Sequence, residues 1–222
     1  MQNKKLLILT GPQGSGNHLF SRMLSLHPDV KGWSALHENY WVPSDEEPFA
    51  NFWVNPDLLT YDVFENANYF LANVSCPFFS NGIMQVPKII EVIEKVKSFN
   101  VSVTVGIIVR DQTINEYQHR RLLGHTTLPI ATEYYKKMID SNTYFIDFES
   151  FFLYKEAYLK RLSEILNFPI AFNDPAILKF IDEDSNKKYI QPVDTHWLDA
   201  EIKRGRLPKD HENRNNTKNS ST

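Results

Sequence analysis

Residues 5–28 read KLLILTGPQGSGNHLFSRMLSLHP, and this stretch decides the fold. A short apolar run, Leu6–Thr10, is followed by three glycines in the next six residues. Asn17–Leu26 then places apolar side chains at helical spacing until Pro28. A continuous apolar run is typical of a buried parallel strand, and a proline ends a helix. The stretch therefore predicts a strand, a glycine-rich turn and a helix, which is the opening of a βαβ unit.

The glycine-rich turn predicts a phosphate-binding loop. A loop between a strand and a helix can wrap its backbone N–H groups around an anion, and the helix dipole adds to the attraction. The alternative is an ordinary tight turn without a ligand. The residues that we expect at the bound phosphates are Gln13, Gly14, Ser15, Gly16, Asn17 and His18.

Two common nucleotide-binding patterns are incomplete in this loop. A nucleoside-triphosphatase loop has Gly, four residues and then Gly-Lys-Ser/Thr, and here Asn17 and His18 occupy the last two positions. A dinucleotide fingerprint requires a third glycine where this chain has Leu19.

Alternating strands and helices continue along the chain, which predicts an α/β fold with three layers, α/β/α, around a central, mostly parallel sheet of the P-loop-containing nucleotide-binding type. The further strands that we expect are Val30–Leu36, Val101–Val109 and Tyr144–Asp147. The further helices that we expect are Pro56–Ala72, Pro87–Ser98, Gln112–Leu123, Pro129–Asp140, Leu153–Asn167 and one beginning at Pro175.

The chain has 222 residues, a net charge of -3 and 42% hydrophobic residues, which is enough for one sizeable core. We expect a single domain over residues 1–202. Residues 37–86 within it are rich in aromatic side chains and are interpreted as an insertion on the acceptor side. Residues 203–222 hold six Lys/Arg and two Asp/Glu, and we expect this polar tail to be disordered.

Several functional classes are disfavoured by composition. The mild acidity argues against nucleic-acid binding, and the single cysteine, Cys76, excludes an internal disulfide framework. No run of about 18 apolar residues exists, so we expect no membrane segment and a cytoplasmic protein. The seven histidines lack a spacing typical of metal ligands, and we expect no metal.

Three blocks, in this order, resemble the sulfotransferase family, in particular its glycan-modifying and bacterial branches. GPQGSGNHLFSRMLSLHPDV (11–30) is similar to the first motif, and VTVGIIVRDQTINEYQHRR (103–121) resembles the strand and helix of the second. TYFIDFESFFLYKEAYLKRLSEILNFP (143–169) is similar to a third block, a strand with an acidic turn and a helix.

The resemblance implies transfer of a sulfuryl group from 3′-phosphoadenosine 5′-phosphosulfate to a hydroxyl or amine of a small-molecule or carbohydrate acceptor. It implies that the loop binds the 5′-phosphate and that Arg110 binds the 3′-phosphate, assisted by Asn115 or Thr113. Arginine at the carboxyl end of a central strand suits this role, because its fork matches phosphate. A salt bridge to Asp111 or Asp147 is the structural alternative for Arg110.

One departure from the family concerns the loop lysine, whose place is taken by Gly14. Removing one such donor typically costs about 10²–10³ in rate. The candidates to replace it are Gln13, His18, Lys88 and the pair Lys187 and Lys188.

The acceptor's proton requires a base, for which the candidates are Glu38 and His37, next to the expected second strand; His18 is a further catalytic candidate. The structural alternative is an exposed pair at a strand end.

Two other functions stay open at this point: a P-loop kinase-like enzyme that uses magnesium and ATP, and a catalytically silent nucleotide- or glycan-binding protein.

Overall fold

The computed structural model of this chain describes residues 4–41, 47–140, 142–182 and Asn186. The chain divides into two compact units, Met1–Asp184 and Ser185–Thr222, and of the second only Asn186 is described. The predicted tail, residues 203–222, and the candidate ligands Lys187 and Lys188 lie outside the described residues.

Seven strands and eight α-helices are found in the described residues. The strands are β1 (Lys5–Pro12), β2 (Val30–Lys31), β3 (Tyr69–Cys76), β4 (Phe78–Ser80), β5 (Ile83–Gln85), β6 (Ser102–Val109) and β7 (Thr143–Asp147). The helices are α1 (Asn17–Leu24), α2 (Trp33–Tyr40), α3 (Ala50–Val54), α4 (Ile89–Ser98), α5 (Gln112–Leu123), α6 (Leu128–Tyr135), α7 (Phe148–Leu166) and α8 (Pro175–Asp182). Two 3₁₀ turns, Pro56–Leu58 and Tyr61–Phe64, precede β3.

Five strands form one parallel sheet in the order β2-β3-β1-β6-β7, while β4 and β5 form a separate antiparallel hairpin. Leu9 of β1 lies opposite Asn73 on one side and Gly106 on the other. The chain leaves β1 toward β3 and β2 and leaves β6 toward β7, so the connections diverge between β1 and β6. In open α/β sheets, ligands bind at such a divergence, outside the carboxyl ends of the strands.

The sheet is covered on both faces, which confirms the three-layer α/β/α architecture. Successive residues of β1 alternate between two buried clusters. The first core contains Leu6 and Ile8 together with apolar residues of α4 and α6. The second core contains Leu7 and Leu9 together with those of α1, α7 and α8.

Two expected elements are wrong. The stretch Val30–Leu36 forms a strand only over Val30–Lys31, and the chain then enters α2. Pro56–Ala72 is not a helix, because it contains the two 3₁₀ turns and the first half of β3. Residues 37–86 therefore include an internal strand of the sheet, and only part of that segment lies outside it.

The remaining elements are found at the expected places, although some of their bounds differ. Helix α5 has the predicted bounds, and Asp111 begins it by accepting a 2.9 Å hydrogen bond from the N–H of Ile114. Helix α7 starts five residues earlier than expected because Asp147 caps it, and it is interrupted at Lys155, where φ is 51°. Helix α6 ends at Tyr135, before the expected Asp140.

Candidate functional site

The predicted loop leaves β1 and enters α1 in a conformation that needs glycine at two positions. Gly14 and Gly16 have φ values of 76° and 103°. A Cβ on Gly16 would lie 2.4 Å from a ring carbon of Phe148. The backbone can therefore follow this path only with glycine at position 16.

Helix α1 begins at this loop without a side-chain cap. Gly16 holds the N-cap position, and its carbonyl accepts a hydrogen bond of 3.1 Å from the N–H of Phe20. The first N–H groups of a helix have no partner within the helix, and the helix dipole makes that end attractive to anions. The loop thus places the start of α1 at the divergence between β1 and β6.

Helices α5 and α6 hold the loop through Gln13. The carbonyl of Gln13 accepts a 3.1 Å hydrogen bond from Asn115 Nδ2 and contacts Nε2 of His119. Thr127 Oγ1 donates to Gln13 Oε1 at 3.1 Å. Two residues of α5 and Thr127 at the N-cap of α6 therefore hold Gln13, and through it the loop.

Arg110 follows the last residue of β6 and reaches the loop. Its Nη1 donates to the carbonyl of Gly14 at 2.7 Å and to Gln118 Oε1 at 3.0 Å, and its guanidinium lies 4.3 Å from the centre of the Phe148 ring. These contacts are to a carbonyl, an amide and an aromatic ring, and they place the guanidinium at the loop.

Three buried side-chain oxygens near this edge of the sheet have no hydrogen-bond partner within the described part of the chain: Ser15 Oγ, Asn73 Oδ1 and Asn115 Oδ1. Buried polar groups are normally satisfied, and an unsatisfied one needs an explanation such as a missing water, ion or ligand. The loop, β3 and α5 each contribute one of these oxygens.

A buried carboxylate, Glu47, lies beside the start of α1. It accepts hydrogen bonds from Asn73 Nδ2 at 2.7 Å and from Ser75 Oγ at 3.2 Å. His18 Nε2 lies 3.2 Å from Glu47 Oε1, an ion-pair distance, and Asn17 Nδ2 donates to Ser75 Oγ at 3.1 Å. The two residues that replace Lys and Ser/Thr of the triphosphatase pattern are thus both joined to this carboxylate.

The candidate bases His37 and Glu38 lie on α2 and not at the end of a strand, which corrects the expected position. The His37 ring stacks between Trp33 and Trp41, with centroid separations of 5.2 Å and 5.0 Å. Glu38 is exposed. His18 lies edge-on to Trp33 at 5.0 Å, so this indole separates the rings of His18 and His37.

A cavity of about 220 Å³ adjoins the loop at the ends of β1 and β6. Apolar and polar groups contribute to its wall: Pro12, Val109, Arg110, Gln112, Asn115, Leu128 and Thr132. Both Arg110 and Asn115, which the sequence analysis named, line it.

Sequence reasoning missed Glu47 and His119. Glu47 is distant in sequence from its partners Asn73 and Ser75, so no local spacing indicates it. His119 is almost fully buried and donates or accepts through both ring nitrogens, at Gln13 and Thr127. Burial lowers the pKa of the His119 imidazole below its ordinary value of 6.5, against the opposing effect of its contact with Gln13.

In the described ranges, no group of three or more His, Cys, Asp and Glu side chains is arranged to hold a metal ion. None of the helices described is long and apolar enough to span a bilayer.

No protein-family model and no curated protein matches this chain. Among solved structures, an unliganded sugar kinase from Janibacter sp. HTCC2649 is similar with a TM-score of 0.39 and 12% identity, over 78% of this chain and 98% of that one. A gluconokinase from Sinorhizobium meliloti 1021 is similar with a TM-score of 0.34 and 11% identity, over 86% of this chain and 99% of that one. Both scores are below 0.5, so the fold rests here on the strand order and register of the chain itself.

Proposed function

We propose that this chain is a nucleotide-dependent transferase that binds the phosphates of its donor at the loop of residues 11–16. The observation that carries the proposal is the convergence of the loop, Arg110 and Asn115 where the connections of β1 and β6 diverge. Ligands bind α/β sheets at this place, and guanidinium and helix N-termini are the usual phosphate partners.

The reaction that we propose is sulfuryl transfer from 3′-phosphoadenosine 5′-phosphosulfate to a hydroxyl or amine of a small-molecule or carbohydrate acceptor. The acceptor atom attacks sulfur, the bond from sulfur to the 5′-phosphate oxygen breaks, and adenosine 3′,5′-bisphosphate leaves. His18 takes the acceptor's proton, because its ring is partly exposed and Glu47 can stabilise the resulting imidazolium. Asn17 and His18 support a sulfuryl donor, because neither is the lysine or hydroxyl that holds magnesium and a triphosphate.

Phosphoryl transfer from magnesium-bound ATP is the second candidate. The spacing from Gly11 to Gly16 equals that of the triphosphatase loop. It is also the chemistry indicated by the names of the two kinases above. A silent nucleotide-binding protein would bind a donor product without any transfer.

A thermal-shift comparison separates these functions, since a ligand that binds the native state raises the melting temperature. The ligands are adenosine 3′,5′-bisphosphate, ATP with magnesium, and NAD. We expect the bisphosphate to raise the melting temperature most. Stabilisation by ATP with magnesium alone would select phosphoryl transfer and overturn the sulfuryl donor.

Binding is then followed by a transfer assay with 3′-phosphoadenosine 5′-phosphosulfate labelled in its sulfate. Acceptors are drawn from small alcohols, phenols, amines and oligosaccharides. Bisphosphate binding with no labelled product from any of them would support the silent protein.

A further inference from the structure

Glu47 is a buried carboxylate beside the start of α1, which follows the loop proposed to bind phosphate. The side chain is buried and accepts hydrogen bonds from Asn73 Nδ2 and from the hydroxyl and N–H of Ser75, and His18 Nε2 lies 3.2 Å from its Oε1.

The carboxylate is joined to the first turn of α1. Asn17 reaches Glu47 through the Ser75 hydroxyl, and His18 reaches it directly. Both residues follow Gly16, so the carboxylate is joined through their side chains to the first two positions of α1. A site with this loop spacing usually has a lysine and a magnesium ion at these two positions.

The aromatic ring of Trp33 lies beside His18. His18 lies edge-on to this ring at 5.0 Å, Arg22 lies 4.7 Å from it, and His37 stacks on it. On the sheet side, burial raises the pKa of the Cys76 thiol to about 12 and raises the pKa of Tyr135 well above its ordinary value, so both are neutral. His18 Nε2 lies 3.2 Å from Glu47 Oε1.

We propose that Glu47 makes this site select its donor by charge, favouring a terminal group with one negative charge over one of the same shape with two. The inference rests on the proposed function and names Glu47 as the residue that sets the choice of donor. A terminal sulfate carries one charge, whereas a terminal phosphate carries nearly two above its second pKa near 6. Coulomb repulsion by a buried carboxylate penalises the additional charge.

The test uses two ligands that differ in this charge alone, adenosine 5′-phosphosulfate and ADP. Dissociation constants are measured by isothermal titration calorimetry at about pH 8 with a chelator, so that no divalent cation masks the phosphate. We expect wild type to bind the phosphosulfate about tenfold more tightly than ADP, and Glu47→Gln to remove most of that preference by strengthening ADP binding. Glutamine keeps the size of the side chain and one acceptor for Asn73.

Glu91→Gln, an exposed carboxylate on α4, is the matched control and keeps the wild-type ratio. Circular dichroism confirms that each variant is folded.

The results separate this inference from the proposed function. Binding of both nucleotides with equal affinity, or a Glu47→Gln ratio equal to that of wild type, overturns charge selection and leaves a nucleotide-binding site. Binding of neither nucleotide to wild type overturns both.

Discussion

At the scale of single residues, the contacts of Arg110 matter most to the proposed site. Arg110 donates to the carbonyl of Gly14, which is a weak competitor for a phosphate because a charged acceptor forms a stronger hydrogen bond with guanidinium. The same contact joins Arg110 to the loop. Arg110 therefore holds the loop in place and is also the predicted partner of the 3′-phosphate.

Arg110→Ala separates these two effects when two ligands are compared. We expect the ratio of affinities for adenosine 3′,5′-bisphosphate and AMP to fall about 10–100-fold, because a charge-assisted hydrogen bond to the 3′-phosphate is lost. Loosening of the loop weakens both ligands and cancels in the ratio. Calorimetric titration measures this ratio of affinities. Arg161→Ala, on the exposed side of α7, is the control. A ratio in Arg110→Ala equal to that of wild type would refute the role assigned to Arg110.

At the scale of elements, α5 and the start of α6 hold the loop. The buried side chain of His119, on α5, contacts Gln13 of the loop and Thr127 at the start of α6. Because burial lowers its pKa, the folded protein keeps His119 neutral at a pH where the unfolded chain is already protonated. The stability that the neutral imidazole preserves is present above the unfolded value of about 6.5. It is lost progressively as the pH falls from there toward the lower folded value.

His119→Gln tests this dependence. We expect the free energy of unfolding to fall less steeply with decreasing pH below about 6.5 in the variant, by up to about 1.4 kcal/mol per pH unit. Urea unfolding at a series of pH values measures the slope. Identical slopes in wild type and His119→Gln would contradict the argument.

The elements also show which parts of the fold the sequence predicts and which it does not. The strand, loop and helix around residues 5–24 were predictable, because an apolar run, glycines and helical spacing are local signals. Strand β3 was not, since Asn73 and Ser75 interrupt its apolar pattern, and their partners Glu47 and Asn17 are distant in sequence. The carboxylate itself lies in an irregular segment, and only the folded chain brings it to α1.

At the scale of the whole molecule, β1 connects both halves of the core. Leu7 and Ile8 are neighbours in the chain, yet one packs into the second core and the other into the first. Both are fully buried. Since the same strand supports both clusters, neither core can lose its packing without disturbing the other.

We therefore expect Leu7→Ala and Ile8→Ala each to reduce the free energy of unfolding by about 2–5 kcal/mol, as is usual for buried large-to-small substitutions. In each variant, tryptophan fluorescence and far-ultraviolet circular dichroism should give one shared midpoint in urea. Leu153→Ala, at a position 72% exposed, should change stability by less than about 0.5 kcal/mol. Two separate midpoints in either core variant would show that the faces unfold independently.

Because His18 contacts Trp33, the fluorescence of Trp33 can report ligand binding at the loop. Trp33 lies 5.0 Å from the imidazole that pairs with Glu47, whereas Trp53 is enclosed in the first core. Any anion that draws His18 away from Glu47 alters the surroundings of the Trp33 indole. The arrival of a ligand can thus be followed by the emission of the unlabelled protein, and Trp33→Phe identifies the part of the signal that originates at the loop.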